Sequence, residues 1–105
     1  MAEDYRSLNV YPAFKLISTV PDNACVEILL PSACNQVSIG AQGKKLYLAQ
    51  QGFTEGDNIA TNYAFIPSDN FLIIRLGKGS NRASSLFVQS SSGNADVHVI
   101  LEEVT

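Results

Sequence analysis

Nucleophilic catalysis by a serine or cysteine needs a base within hydrogen-bond reach, and the usual base is histidine. The chain has a single histidine, His98. It lies in a run from Ala95 to Glu102 that alternates apolar and polar residues, on the polar side, where a surface histidine without a catalytic partner is expected. Cys25 and Cys34 flank Pro31 at an expected turn. One histidine and two cysteines at this separation do not make a zinc knuckle. A disulfide across the turn is conceivable, but without a secretory leader two buried free thiols are the expectation. The pairs Asp22-Asn23, Asp57-Asn58 and Asp69-Asn70 lack the ligand pattern of a calcium loop and read as turn residues. Gly40-Ala41-Gln42-Gly43-Lys44-Lys45 has neither the spacing nor the following helix of a phosphate loop. Gly77-Lys78-Gly79-Ser80-Asn81-Arg82 offers backbone N–H groups and two cations, again with no helix behind it, so both stretches read as hairpin loops. A glycosidase would need two carboxylates facing each other, which sequence order does not establish for any pair of the ten acidic residues. No enzyme, cofactor or metal site is expected.

Sugar binding wants exposed aromatic faces, commonly tryptophan, and the chain has none. Tyr47, Tyr63 and Tyr11 are the available substitutes. A net charge of −3 with seven scattered basic residues argues against a nucleic-acid partner, because phosphate binding needs clustered cations. No apolar run reaches the length of a membrane span. Met1-Ala2-Glu3-Asp4-Tyr5-Arg6 is acidic and polar where a secretory signal would be basic and then apolar, so synthesis in the cytoplasm is expected. With 105 residues, of which 46% are hydrophobic and 16% charged, the chain is sized and composed for one compact domain.

These residues must be positioned by short strands. Apolar segments recur about every ten residues, separated by Gly, Pro, Asn, Asp and Ser clusters, the pattern of an all-β sandwich or barrel. The segments run from Phe14 to Ser18, Ala24 to Leu30, Gln36 to Ile39, Lys45 to Ala49, Asn62 to Ile66, Phe71 to Leu76, Ser85 to Ser90 and Ala95 to Glu102. The expected fold is an antiparallel β-sandwich or jelly roll of about eight short strands with no substantial helix. Lys44 to Gln51 contains helix formers and stops at Gly52, but Leu46 and Leu48 alternate with Lys45, Tyr47 and Ala49 as a strand requires. Residues 13–105 make the sandwich. Residues 1–12 read either as a first edge strand or as an extended arm whose Tyr5, Leu8 and Tyr11 dock on a neighbour.

Segment 71–76 breaks the rule that a sandwich strand has one apolar face. Leu72, Ile74 and Leu76 are apolar on one side, Phe71 and Ile73 on the other. Surplus apolar surface of this kind suits a subunit contact made by Phe71, Ile73 and the adjoining Arg75, with Leu29 and Ile100 as further candidates.

Five stretches carry a family resemblance: Cys34-Asn35-Gln36-Val37-Ser38-Ile39-Gly40, Leu46-Tyr47-Leu48, Asn62-Tyr63-Ala64-Phe65-Ile66-Pro67, Leu86-Phe87-Val88 with Ser90-Ser91-Ser92-Gly93, and Val97-His98-Val99-Ile100-Leu101-Glu102. Together they resemble the small all-β virion proteins of tailed bacteriophages. The shared features are a Cys-Val-Ile strand, a proline-bearing strand end at mid-chain and a closing strand that runs apolar residues into an acidic one. The resemblance implies a non-enzymatic head decoration or cement protein, often a homotrimer, that braces the major capsid protein in the virion. The competing expectation is a carbohydrate- or receptor-binding module, associated with a tail or fibre, that uses Tyr47 and Tyr63.

Overall fold

The computed structural model describes residues 2–50, 52–59, 64–77 and 79–105. Among them are nine strands: β1 (Glu3–Asp4), β2 (Ala13–Val20), β3 (Val26–Leu29), β4 (Gln36–Gly40), β5 (Leu46–Ala49), β6 (Ala64–Ile66), β7 (Phe71–Arg75), β8 (Ser85–Ser90) and β9 (Ala95–Glu102). Among the described residues a single 3₁₀ turn, Gly79–Asn81, interrupts the β pattern. Each strand from β2 onward coincides with a segment of alternating or continuous apolar character, and each connection carries the Gly, Pro or Asn expected of a turn.

The strands form two sheets, β1-β3-β8-β5-β6 and β2-β9-β4-β7. The antiparallel pairs β2 with β9, β3 with β8, β4 with β7 and β5 with β6 nest inside one another. They describe one long antiparallel ribbon whose bend lies between β5 and β6. Wrapping that ribbon brings β9 against β4 and β8 against β5 and closes a jelly roll. Its inner faces interdigitate: Val97, Val99 and Leu101 of β9 meet Val37 and Ile39 of β4, Ile28 of β3, Leu46 of β5 and Leu86 and Val88 of β8, all buried. Each such Val, Leu or Ile contributes about 1.5–3 kcal/mol when fully removed from water.

One consequence corrects the hairpin reading of the two glycine loops. The segment between β4 and β5 and that between β7 and β8 both cross from one sheet to the other. Glycine and asparagine report that the backbone needs positive φ, as at Gly43 (φ 74°) and Gly79 (φ 58°). They carry no information about which sheet receives the next strand. The connection from β3 to β4, where Pro31 sits, also crosses. Cys34 therefore lies in the core between the sheets while Cys25 lies outside β3 in a separate cluster, and both are free thiols.

Of the two readings of residues 1–12, the structure has the edge strand and corrects the arm. Glu3–Asp4 pairs parallel with β3, and Tyr5 N–H donates to Leu29 O at 2.9 Å. This seats Tyr5 in the main core at 7% exposure, with Leu8 and Tyr11 half-buried against it. Tyr5, expected at a partner contact, is covered by its own chain.

Candidate docking face

β2 enters the fold through a cis Tyr11–Pro12 peptide and turns Ala13, Lys15 and Ile17 inward, leaving Phe14 and Leu16 outward. On β9 the outward residues are Asp96, His98, Ile100 and Glu102. Strand register aligns these positions in rows across the sheet. Phe14 lies beside Ile100, Ile100 beside Ser38, and Ser38 beside Ile73. The next row runs Leu16, His98, Gly40, Phe71, and a third runs Glu102, Gln36, Arg75. Phe14 is 72% exposed, Leu16 52%, Phe71 50% and Ile73 62%.

The outer face of β2-β9-β4-β7 is thus apolar at both margins, carries Ile100 and His98 on β9, and is small on β4. Ser38 and Gly40 are buried between the flanking side chains. Gly40 must be glycine: a Cβ there would overlap the Asn70 carbonyl oxygen and lie 3.0 Å from Cδ1 of Phe71. The Phe71 ring therefore lies over the bare backbone of β4. At the polar end Gln36 Nε2 donates to Glu102 Oε1 at 3.1 Å.

The other sheet is covered differently. The segment 52–59 folds over the outside of β3, β8 and β5 and builds a second cluster of Cys25, Ala49, Ile59 and Phe87, with Phe53 packed edge-on to Phe87 at 6.3 Å. Gln89, fully buried, fastens it: its Oε1 accepts from Ile59 N–H and its Nε2 donates to Asp22 O and Asn58 Oδ1, each at 2.9 Å. Leu29, grouped by sequence with the contact residues, sits half-buried on this covered sheet, on the opposite side of the sandwich from Phe71 and Ile73.

The remaining chemical leads resolve into structure. Asp22 Oδ2 accepts from Gly93 N–H, Asp69 Oδ1 from Gly43 N–H and Asp57 Oδ2 from Thr54 N–H, so all three Asp-Asn pairs fasten loops. Arg82 donates to the carbonyls of Pro31 and Cys34, clamping the turn between β3 and β4. Lys78 lies outside the described residues. Among the described residues no group of three or more His, Cys, Asp or Glu is arranged to hold a metal. His98 is exposed in the middle of the apolar rows. Burial pushes the thiols of Cys25 and Cys34 above the ordinary range, which favours the un-ionised, unreactive form. Tyr47 is half-buried, its ring 6.4 Å from that of Phe65, and Tyr63 lies outside the described residues.

Of the residues that sequence reasoning singled out, Phe71, Ile73, Arg75 and Ile100 lie on this face, and it missed Phe14 and Leu16. The signal was available in Phe14-Lys15-Leu16-Ile17, where two apolar residues occupy the face opposite the core-facing Ile17, as in the two-faced segment 71–76. The inward lysine disguised it. Lys15 stays at the edge of the core with its Nζ 5.8 Å from the centre of the Tyr5 ring. Comparison with protein-family models, with curated proteins and with solved structures finds no match for this chain. Among the described residues no helix is long and apolar enough to cross a membrane.

Proposed function

We propose that this chain is a non-enzymatic structural protein of a phage virion, a head decoration protein that uses the outer face of β2-β9-β4-β7 to grip the shell of major capsid protein. The observation that carries the reading is the contrast between the two sheets. One is covered by the chain's own 52–59 segment, while the other presents Phe14, Leu16, Phe71 and Ile73 to solvent in register. Contiguous apolar patches of this kind mark interaction surfaces. The jelly-roll fold is compatible, since it builds capsid and lectin domains alike, but the argument rests on the face and not on the fold. The buried Tyr5 removes the N-terminal arm as the gripping element and leaves that work to the sheet.

The test is co-sedimentation of the purified chain with assembled shells of the major capsid protein encoded in the same genome. Saturable binding is expected, falling at least tenfold for Phe14→Asp and Leu16→Asp, whose exposed positions leave the core intact. Binding unchanged by both substitutions contradicts the proposal. A second reading has one observation behind it: a cleft of about 510 Å³ lined by Glu27, Gln50, Phe53, Asn81 and Ser84 among others. Its carboxylate, amides and hydroxyl beside an aromatic ring suit a hydroxyl-rich ligand such as a glycan, and a glycan array decides it.

A further inference from the structure

The edges of the two sheets are guarded unequally. β1 has two residues, and β6 has three among the described residues and stops at Pro67. β2 is long, but Lys15 points inward and the register shifts between Ile17 and Val20, where Thr19 takes φ 55°. Short length, inward charge and bulges are the devices by which edge strands avoid pairing with other chains. β7 has none of them. Its register with β4 is unbroken from Gly40–Phe71 to Gln36–Arg75, it contains no proline or lysine, and it is apolar on both faces. Beside it, among the described residues, a groove of about 200 Å³ lies between β7 and β5–β6, lined by Leu48, Ala64, Leu72, Ile74, Leu76 and Leu86 among others.

The phase of the hydrogen-bond ladder says what this edge offers. Leu76 N–H donates to Asn35 O at 3.0 Å. Alternation along an antiparallel pair then directs the backbone groups of Leu72 and Ile74 to β4, and those of Phe71, Ile73 and Arg75 to the open edge. We infer that the β7 edges of two copies of this chain pair antiparallel about a two-fold axis at Ile73, joining their β2-β9-β4-β7 sheets into one. The strand is self-complementary in that register. Phe71 faces the partner's Arg75, an aromatic ring against a guanidinium. Ile73 faces the partner's Ile73, and Leu72 faces the partner's Ile74 across the groove mouths. This register pairs all five residues of β7; sliding one strand by two residues either way would pair only three of them, and toward the C-terminus it would set Arg75 diagonal to the partner's Arg75. The inference rests on reading this sheet as the contact side, and it makes the free protein a dimer where the family resemblance implies a trimer.

Light scattering on the full chain at micromolar concentration tests it. The wild type should show twice the chain mass. Ile73→Lys should be monomeric with an unchanged far-UV spectrum, because the side chain is exposed. Ile73→Pro removes only an N–H that points to the open edge, a place where a strand tolerates proline, and should be monomeric too. Ile73→Cys should cross-link to itself with a short bis-maleimide, since residues opposed in a hydrogen-bonded pair lie about 5.5 Å apart at Cα. The wild type, whose cysteines are buried, should not. A monomeric or trimeric wild type, a dimer that survives Ile73→Lys, or an Ile73→Cys chain that stays uncross-linked overturns the inference. Shell binding is read on Phe14 and Leu16 of β2, at the other margin of the sheet, so either reading can fail alone.

Discussion

Tyr5 shows how much a single side chain decides about the role of the first twelve residues. An aromatic residue in a short polar stretch reads equally well as a hook for a partner or as a plug for the domain's own core. The parallel pairing of Glu3–Asp4 with β3 makes it the plug. Its hydroxyl donates to Glu3 Oε1 at 3.3 Å. Burial first, and then the charge and hydrogen bond of Glu3, hold the phenol well above its ordinary value. A group whose pKa is raised by folding adds stability that is complete below its unfolded value, near pH 10 for tyrosine, and is lost as the pH climbs beyond it. The buried thiols of Cys25 and Cys34, also raised, act in the same direction from about pH 8.5 upward. Urea midpoints should therefore be level through neutral pH and fall on the alkaline side. Tyr5→Phe keeps the ring and removes the ionisation, so its midpoints should fall less between pH 9 and about 11. Curves of equal slope for variant and wild type would show that the phenol does not contribute.

At the scale of elements, the segment 52–59 is tied to Cys25 by backbone hydrogen bonds from Gly56 and to Asp57, and to β8 by the side chain of Gln89. Replacing Gln89 with leucine keeps the volume but leaves Ile59 N–H without its acceptor, at a cost of about 1–3 kcal/mol for that group alone. Gln89→Leu should lower the urea midpoint and make residues 52–59 the first site of limited proteolysis; unchanged proteolysis would mean that the bonds to Cys25 and Glu27 and the packing of Phe53 and Ile59 hold the segment without Gln89. The strands themselves were legible in the sequence because period-two patterning and turn residues are local properties: β9 follows Ala95-Val97-Val99-Leu101 residue by residue. The path between strands was not legible. Gly40 to Lys45 looks the same whether the chain returns to its own sheet or crosses to the other. Gln89 was equally silent, since a glutamine within a strand gives no sign of being buried until the loop that covers it is known. Of the docking face, Phe71 and Ile73 stood out because both faces of β7 are apolar, whereas Phe14 and Leu16 were hidden by the inward Lys15.

The molecule as a whole is asymmetric. Its two sheets share one core, but only β1-β3-β8-β5-β6 is covered on the outside by the chain's own 52–59 segment. The apolar fraction of the composition, sufficient for one domain, is therefore divided between a core, a satellite cluster and a solvent-facing sheet. The central claim is that the protein works through that sheet, and hydroxyl-radical footprinting of its side chains, free and bound to assembled capsid shells, tests it most directly. Bound protein should show Phe14, Leu16, Phe71 and Ile73 protected while the exposed Phe65 on the opposite sheet keeps its labelling. Protection of Phe65, with Phe14 and Leu16 labelled as in the free protein, would contradict the account.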